Sequence, residues 1–182
     1  MALKLNAADS ASFTRVLLTP LTFIYVTDYP YKKEALLIIV IIAIVSDILD
    51  GFLARKFNTV SPFGTLLDFT ADKMFICTVL ILLSITNQVP IWITLVIVNR
   101  EFWVMGMRMF AMHEGILLPA RKSGKLKSLF IFGAIVAQLV DSLVIISYPM
   151  FLIAVILTMY SLIDYAYFIF KHTRKSPIAS IV

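Results

Sequence analysis

The chain has 182 residues, of which 60% are hydrophobic and 15% are charged, and its formal net charge at pH 7 is +5. Soluble domains carry about 25% charged residues, so this composition excludes an ordinary soluble domain. The single cysteine, Cys77, excludes an intrachain disulfide. We therefore predict an all-α integral membrane protein in which residues 1–182 form one domain, and we expect no nucleic-acid partner.

Six membrane-crossing helices are predicted, because long apolar runs recur along the chain and prolines or polar residues separate them. A bilayer core requires about 20 apolar residues for each helical crossing. Residues 1–12 have no continuous apolar core, and we predict that they form a short juxtamembrane helix on the membrane surface. The predicted spans are residues 13–27, 34–57, 64–87, 90–112, 125–146 and 149–170.

The distribution of basic residues predicts the orientation, because lysines and arginines concentrate in cytoplasmic loops. With both termini inside, the outer loops contain only Lys32 and Lys33, and the other fourteen of the sixteen basic residues lie on the cytoplasmic side. The reverse orientation would place nearly all of them outside. The sequence therefore predicts a multi-pass protein of the cell (inner) membrane with both termini in the cytoplasm.

Four aspartates lie in the second and third predicted spans, where ionisable residues are costly and indicate function. Asp47 and Asp50 are three residues apart, and Asp68 and Asp72 are four apart, so each pair shares one helical face. Antiparallel neighbouring helices would bring both pairs together at the cytoplasmic end. Converging carboxylates require a cation, and oxygen ligands favour Mg²⁺, Mn²⁺ or Ca²⁺. Two such ions can hold a pyrophosphate.

Small residues accompany these aspartates, and they allow a bulky phosphate ligand to approach the helix backbone. Gly51 and Ala54 follow the first pair, and Gly64 lies one turn before the second. Tight helix packing is the alternative explanation for small residues in membranes. Arg55 supplies a planar cation suited to phosphate. The aspartates also have an alternative interpretation, as unrelated salt bridges with nearby basic residues.

The spacing of these residues resembles the signature of the CDP-alcohol phosphotransferases. Eight fixed positions match over residues 47–72, in the pattern Asp47-x-x-Asp50-Gly51-x-x-Ala54-Arg55, then eight residues, then Gly64-x-x-x-Asp68-x-x-x-Asp72. The resemblance implies six transmembrane helices, a homodimer, and a centre of two Mg²⁺ or Mn²⁺ ions at the cytoplasmic side. It also implies transfer of a substituted phosphate to an alcohol, with release of CMP.

The same resemblance implies roles for individual residues. Asp47, Asp50, Asp68 and Asp72 would ligate the metal ions, and Asp72 would also be the catalytic base for the acceptor hydroxyl. The site for CDP would be lined by Asp47, Asp50, Gly51, Ala54, Arg55, Gly64 and Asp68.

The fourth span and the loop after it resemble the phosphatidylglycerophosphate synthase branch, which uses CDP-diacylglycerol and glycerol 3-phosphate. The matching residues are Arg100-Glu101-Phe102, Gly106-x-Arg108, Glu114-Gly115 and Gly124-Lys125-x-Lys127-Ser128. The resemblance assigns the acceptor phosphate to Arg108 and Lys125, with Arg100. A phosphorylated acceptor needs such cations.

Several basic residues of this region have a second interpretation. Arg100 could instead pair with Glu101 or with one of the motif aspartates. Arg121, Lys122 and Lys127 are interpreted as contacts to anionic lipid headgroups.

Two other functions stay open on the sequence. The same chemistry could use another acceptor, such as inositol phosphate, phosphatidylglycerol or serine. A divalent-cation transporter is the alternative from another class, but residues 35–45 and 74–84 are almost wholly apolar and leave no polar path outward.

Outside the motif, Asp141 is predicted mid-span with a buried partner, and the Asp164-Tyr165 pair is predicted to pack or hydrogen bond between helices.

Overall fold

The computed structural model describes residues 7–57, 62–113 and 122–173, and it describes side chains for residues 14–48, 70–111, 124 and 126–168. The described residues form helices and turns and contain no strand, which confirms the all-α prediction. Within these described ranges six α-helices follow one another, in agreement with the number of predicted spans. They are α1 (Ala7–Leu21), α2 (Lys32–Phe57), α3 (Pro62–Ile85), α4 (Ile91–His113), α5 (Lys122–Leu139) and α6 (Val144–Thr173).

The N-terminal part of the chain differs from the prediction of a separate surface helix. Helix α1 begins at Ala7 and continues to Leu21 without a break after residue 12. Pro20 lies in its last turn, and the 3₁₀ helix Thr22–Val26 follows. Because proline has no N–H to donate, the α-helical hydrogen bonds end there and the chain tightens into 3₁₀ geometry.

The boundary between α5 and α6 also differs from the prediction. The fifth span was expected to reach residue 146, but α5 ends at Leu139, and Val140 takes an extended backbone conformation. A 3₁₀ turn, Asp141–Leu143, then leads into α6, which passes through Pro149. Pro149 lies in the second turn of α6, where its missing N–H removes a single helical hydrogen bond. A proline so close to a helix start is therefore a poor boundary marker.

Asp141 is not the buried mid-span residue that the sequence predicted. Its side chain is 82% exposed, and its Oδ1 accepts a hydrogen bond of 2.6 Å from Lys33 Nζ. This hydrogen bond raises the pKa of Lys33. The prediction was wrong because it placed Asp141 inside a helix, whereas the residue opens the turn after α5. Exposed ion pairs of this kind contribute about 0–1 kcal/mol.

Interhelical packing determines which helices contribute to the site. Helix α1 packs against both α2 and α3, α3 packs against α4, and α6 packs against α4 and α5. Polar side chains also link the helices: Ser84 and Thr94 hydroxyls lie 2.6 Å apart, between α3 and α4. Such bonds between membrane helices average about 0.6 kcal/mol. Buried core residues include Leu36, Val40, Leu80, Leu83, Ile97, Ile131, Ile135, Phe151 and Ala154.

Within the part of the chain that the structure describes, one segment is long and apolar enough to cross a bilayer. This segment, Asp141–Phe168, has a mean hydropathy of 2.3. Thr14–Val26 and Leu126–Leu139 are apolar helices of shorter length. The six crossings and the cytoplasmic position of both termini stay predictions.

Candidate active site

Arg15 on α1 joins the two helices that carry the motif aspartates. Its side chain is buried, and its Nη2 lies 2.8 Å from Asp47 Oδ1 on α2. Its Nη1 lies 3.8 Å from Asp72 Oδ1 on α3. One guanidinium therefore draws together a carboxylate from each predicted pair. Because α1 packs against α2 and α3, the carboxylates of these two helices face a common cation.

Asp72 receives a second cation from its own helix. Lys73 Nζ donates a hydrogen bond of 2.6 Å to Asp72 Oδ2, and the Asp72 side chain is 19% exposed. The side chain of Asp47 is 50% exposed. The two carboxylates therefore combine partial access to solvent with strong positive charge around them.

The other predicted site residues lie outside the residues whose side chains are described. They are Asp50, Gly51, Ala54, Arg55, Gly64, Asp68 and Lys125. Among the described side chains, no three Asp, Glu, His or Cys residues form a group that could hold a metal ion. Asp47 and Asp72 nevertheless fit a site for a hard cation, because both are oxygen donors and both already converge on a positive charge.

A buried ion cluster surrounds Glu101 on α4, next to Lys73. Arg100 Nη1 lies 3.2 and 3.3 Å from the two Glu101 carboxylate oxygens, and Lys127 on α5 donates a hydrogen bond to Glu101 Oε1. Lys73 Nζ lies 3.8 Å from Glu101 Oε2. Arg100 Nη2 also donates a hydrogen bond of 2.6 Å to Ser161 Oγ on α6. We call these five residues the Glu101 cluster; they link α3, α4, α5 and α6.

Lys127 was interpreted from the sequence as a headgroup contact, and this interpretation was wrong. Its side chain is 2% exposed and pairs with Glu101. A buried charge needs such a partner, because an unpaired ion in an apolar interior is very costly. The sequence signal that could have predicted this ion pair is Glu101, because a carboxylate in an apolar span requires a cationic partner. For Arg100, the structure shows the alternative that the sequence left open, an ion pair with Glu101.

Arg108 and Arg100 both lie against the same aromatic ring. Arg108 Nη2 donates a hydrogen bond of 2.8 Å to Tyr165 Oη, which confirms the interhelical hydrogen bond predicted for the Asp164-Tyr165 pair. The guanidinium carbons of Arg108 and Arg100 lie 5.5 and 5.8 Å from the centre of the Tyr165 ring. Cations at this distance are attracted by the face of an aromatic ring. Tyr165 thus holds two cations of α4 against α6.

The arrangement places oxygen donors and a cationic region side by side. Asp47 and Asp72 lie at the junction of α1, α2 and α3, whereas Arg100 and Arg108 lie between α4 and α6. Lys73 contacts carboxylates of both regions. Such a site can bind a divalent cation on one side and an anionic group such as a phosphate on the other.

Comparison with known proteins identifies a common family. A family model described as CDP-alcohol phosphatidyltransferase matches residues 5–160. The CDP-diacylglycerol--glycerol-3-phosphate 3-phosphatidyltransferase of Bacillus subtilis is 37% identical over 122 residues, which cover 66% of this chain and 63% of the relative. The Treponema pallidum protein of the same name is 39% identical over 94 residues, which cover 52% of this chain and 44% of the relative.

A third relative carries a related name. The probable phosphatidylglycerophosphate synthase of Mycobacterium tuberculosis is 33% identical over 126 residues, which cover 68% of this chain and 60% of the relative. In all three comparisons the matched region is less than two thirds of the relative's own length, between 44% and 63%.

Proposed function

The chain belongs to the CDP-alcohol phosphatidyltransferase family, and on that premise we propose that it transfers a phosphatidyl group from CDP-diacylglycerol to sn-glycerol 3-phosphate. The products are phosphatidylglycerophosphate and CMP. The observation that carries this proposal is the motif of residues 47–72, with Asp47 and Asp72 facing one cation. The names of the relatives support the choice of donor and acceptor, because they specify these two substrates.

Metal binding is part of the proposal. Asp47, Asp50, Asp68 and Asp72 would hold two Mg²⁺ or Mn²⁺ ions, which supply positive charge to the pyrophosphate when bound. Support comes from the oxygen donors at the site and from the attraction of Asp47 and Asp72 to a shared cation. The CDP part of the donor would lie along the small residues Gly51, Ala54 and Gly64 and contact Arg55.

In the proposed reaction, the acceptor hydroxyl attacks the phosphorus that carries diacylglycerol. Asp72 accepts the hydroxyl proton as the new phosphorus–oxygen bond forms, and the bond to the CMP oxygen breaks. Arg108 and Lys125 bind the acceptor phosphate through charge-assisted hydrogen bonds and so orient the hydroxyl. Arg100, whose Nη atoms contact Glu101 and Ser161, would add positive charge beside them. The proposed role of Arg108 is supported by its position beside Arg100 against the Tyr165 ring.

We further propose that residues 1–182 form one multi-pass domain of the cell (inner) membrane and that the chain acts as a homodimer. The active site and both termini would face the cytoplasm. The distribution of basic residues supports this orientation, because only Lys32 and Lys33 fall in the outer loops. Lys33 lies about 21 Å from Asp47 along α2, at 1.5 Å per residue, so these lysines and the aspartates occupy opposite ends of that helix.

An acceptor screen with the purified protein in detergent tests the proposed function. CDP-diacylglycerol and Mg²⁺ or Mn²⁺ are supplied with glycerol 3-phosphate, inositol phosphate, phosphatidylglycerol or serine, and CMP release and lipid product are measured. We expect turnover with glycerol 3-phosphate and its loss when EDTA removes the metal. Turnover with a different acceptor would contradict the acceptor assignment. Binding of metal without CMP release from any acceptor would favour a cation transporter.

The position of Arg15 predicts that metal ions and this arginine stabilise the same carboxylates. In Arg15→Met, Asp47 and Asp72 lose a shared cation and repel each other. With Asp47 half exposed, we expect a loss of about 2 kcal/mol in EDTA, or roughly 4–8 °C in melting temperature for a chain of this size. Thermal unfolding in detergent, with and without Mn²⁺, measures the effect.

Addition of Mn²⁺ should restore more stability to Arg15→Met than it adds to the original protein, because the ions replace the lost positive charge. Lys33→Met is the control, since it removes a cation from the opposite end of α2. An equal Mn²⁺ effect on all three proteins would contradict the prediction.

A further inference from the structure

Starting from the proposed function, in which Arg108 binds the acceptor phosphate, we infer that Ser161 and Tyr165 on α6 are positioning residues for the acceptor. They fix the guanidinium groups of Arg100 and Arg108 where a phosphate monoester binds. Neither residue of α6 contacts a reacting atom. Helix α6 would then determine acceptor specificity, although it lies outside the motif of residues 47–72.

The contact between Tyr165 and Arg108 is the first observation. Arg108 Nη2 donates a hydrogen bond of 2.8 Å to Tyr165 Oη, and the Arg108 guanidinium carbon lies 5.5 Å from the centre of the buried Tyr165 ring. A guanidinium is a rigid planar fork with five N–H donors at the end of a flexible stem. A contact that fixes one edge of the fork therefore fixes the direction of its other donors.

The second observation is that Ser161 makes a similar contact one turn earlier on α6. Arg100 Nη2 donates a hydrogen bond of 2.6 Å to the buried Ser161 hydroxyl, and the Arg100 guanidinium carbon lies 5.8 Å from the centre of the Tyr165 ring. Residues four apart share one face of a helix. The same face of α6 therefore holds both arginines, although they are eight residues apart on α4.

The charge of this arrangement suits a phosphate monoester. Two guanidinium groups near one ring repel each other where little solvent screens them, and the face of the Tyr165 ring attracts both cations and offsets part of this repulsion. A phosphate monoester carries a charge of about −1.5 to −2 at pH 7. An acceptor without a phosphate would gain little from two neighbouring cations.

The expected kinetic effect follows from the flexibility of arginine. Ordering a long side chain opposes binding, unless the folded protein has already ordered it. Tyr165 and Ser161 order the two arginines before the acceptor arrives. Loss of these contacts should therefore weaken acceptor binding and raise the KM for glycerol 3-phosphate, with little change in kcat.

Three substitutions in the full-length protein test these roles. Tyr165→Phe removes the hydroxyl and keeps the ring, Tyr165→Leu removes both, and Ser161→Ala removes the acceptor of the Arg100 hydrogen bond. CMP release is measured at varied glycerol 3-phosphate, with fixed CDP-diacylglycerol and Mn²⁺. We expect KM to rise about three- to tenfold in Tyr165→Phe and Ser161→Ala, and further in Tyr165→Leu. In each variant kcat should stay within about twofold of the original value.

Tyr167→Phe is the matched control, because it makes the same chemical change at an exposed tyrosine of α6. Its KM should stay within about 1.5-fold of the original value. A double-mutant cycle then tests whether Tyr165 acts through Arg108. In an Arg108→Gln background, Tyr165→Phe should change KM by less than about 1.5-fold, because the hydroxyl has no guanidinium to fix.

Three results would overturn the inference. The first is an unchanged KM in Tyr165→Phe or in Ser161→Ala. The second is an equal rise in KM from Tyr165→Phe in both backgrounds. The third is a fall in kcat at unchanged KM, which a loss of folded protein would produce. Failure of the proposed function is distinguishable, because the original protein would then release no CMP with glycerol 3-phosphate or Arg108→Gln would leave its KM unchanged.

Discussion

Asp72→Asn is expected to lower the rate of CMP release with glycerol 3-phosphate by about 10³-fold, since a positioned general base contributes about 10²–10⁴-fold. The substitution keeps the shape of the side chain and an oxygen that can accept the hydrogen bond from Lys73. It removes the basic oxygen that accepts the acceptor proton and weakens a proposed metal ligand. The rate is measured as CMP formed per minute in detergent, at saturating glycerol 3-phosphate.

Asp141→Asn is the matched control for this experiment. It makes the same chemical change at an exposed aspartate whose contact is Lys33, at the other end of α2. We expect its turnover to stay within about twofold of the original protein, because surface pairs contribute little. Equal losses of turnover in the two variants would mean that the effect of Asp72→Asn reflects stability and not the loss of a general base. A normal rate in Asp72→Asn would remove Asp72 from the proposed mechanism.

Arg108→Gln is expected to raise the KM for glycerol 3-phosphate by about 10–100-fold, because a hydrogen bond to a charged group contributes about 1.5–3 kcal/mol. The guanidinium lies against Tyr165 and has the planar geometry that binds phosphate through two hydrogen bonds. Glutamine retains a polar group but has no charge. Steady-state kinetics at varied glycerol 3-phosphate and fixed CDP-diacylglycerol measure the effect.

Two companion variants separate charge from packing in this prediction. Arg108→Lys keeps the charge and loses the planar fork, so its KM should lie between those of the original protein and Arg108→Gln. Tyr165→Phe removes the hydroxyl that accepts from Arg108 and keeps the ring. We expect Tyr165→Phe to change KM by less than about tenfold. If Arg108→Gln left the KM for glycerol 3-phosphate unchanged and raised the KM for CDP-diacylglycerol, Arg108 would belong to the donor site instead.

The helices could largely be predicted from the sequence because helix formation depends on local composition and hydrogen bonding. Five of the six helices begin or end close to the apolar runs that predicted them. The errors concern helix boundaries: α1 begins at Ala7, α5 ends at Leu139, and α6 continues through Pro149. At a helix boundary, one or two hydrogen bonds determine whether the backbone continues as helix, and packing against neighbouring helices favours one conformation.

The candidate site could be predicted from the sequence because its motif residues are close together in the chain. Spacings of three and four residues place Asp47 with Asp50 and Asp68 with Asp72 on shared helical faces, whatever the rest of the fold does. Family membership follows from the same short segment and extends over residues 5–160. The helical class, the family and the motif residues could therefore be predicted from local sequence alone.

The partners of the buried charges depend on how the helices pack against one another, which the sequence does not show. Arg15 meets Asp47 and Asp72 because α1 packs against both α2 and α3, and no local spacing indicates that packing. Lys127 is buried against Glu101 rather than exposed to headgroups. Ion pairing between helices depends on their relative position, because an ion pair acts strongly only over a few ångströms.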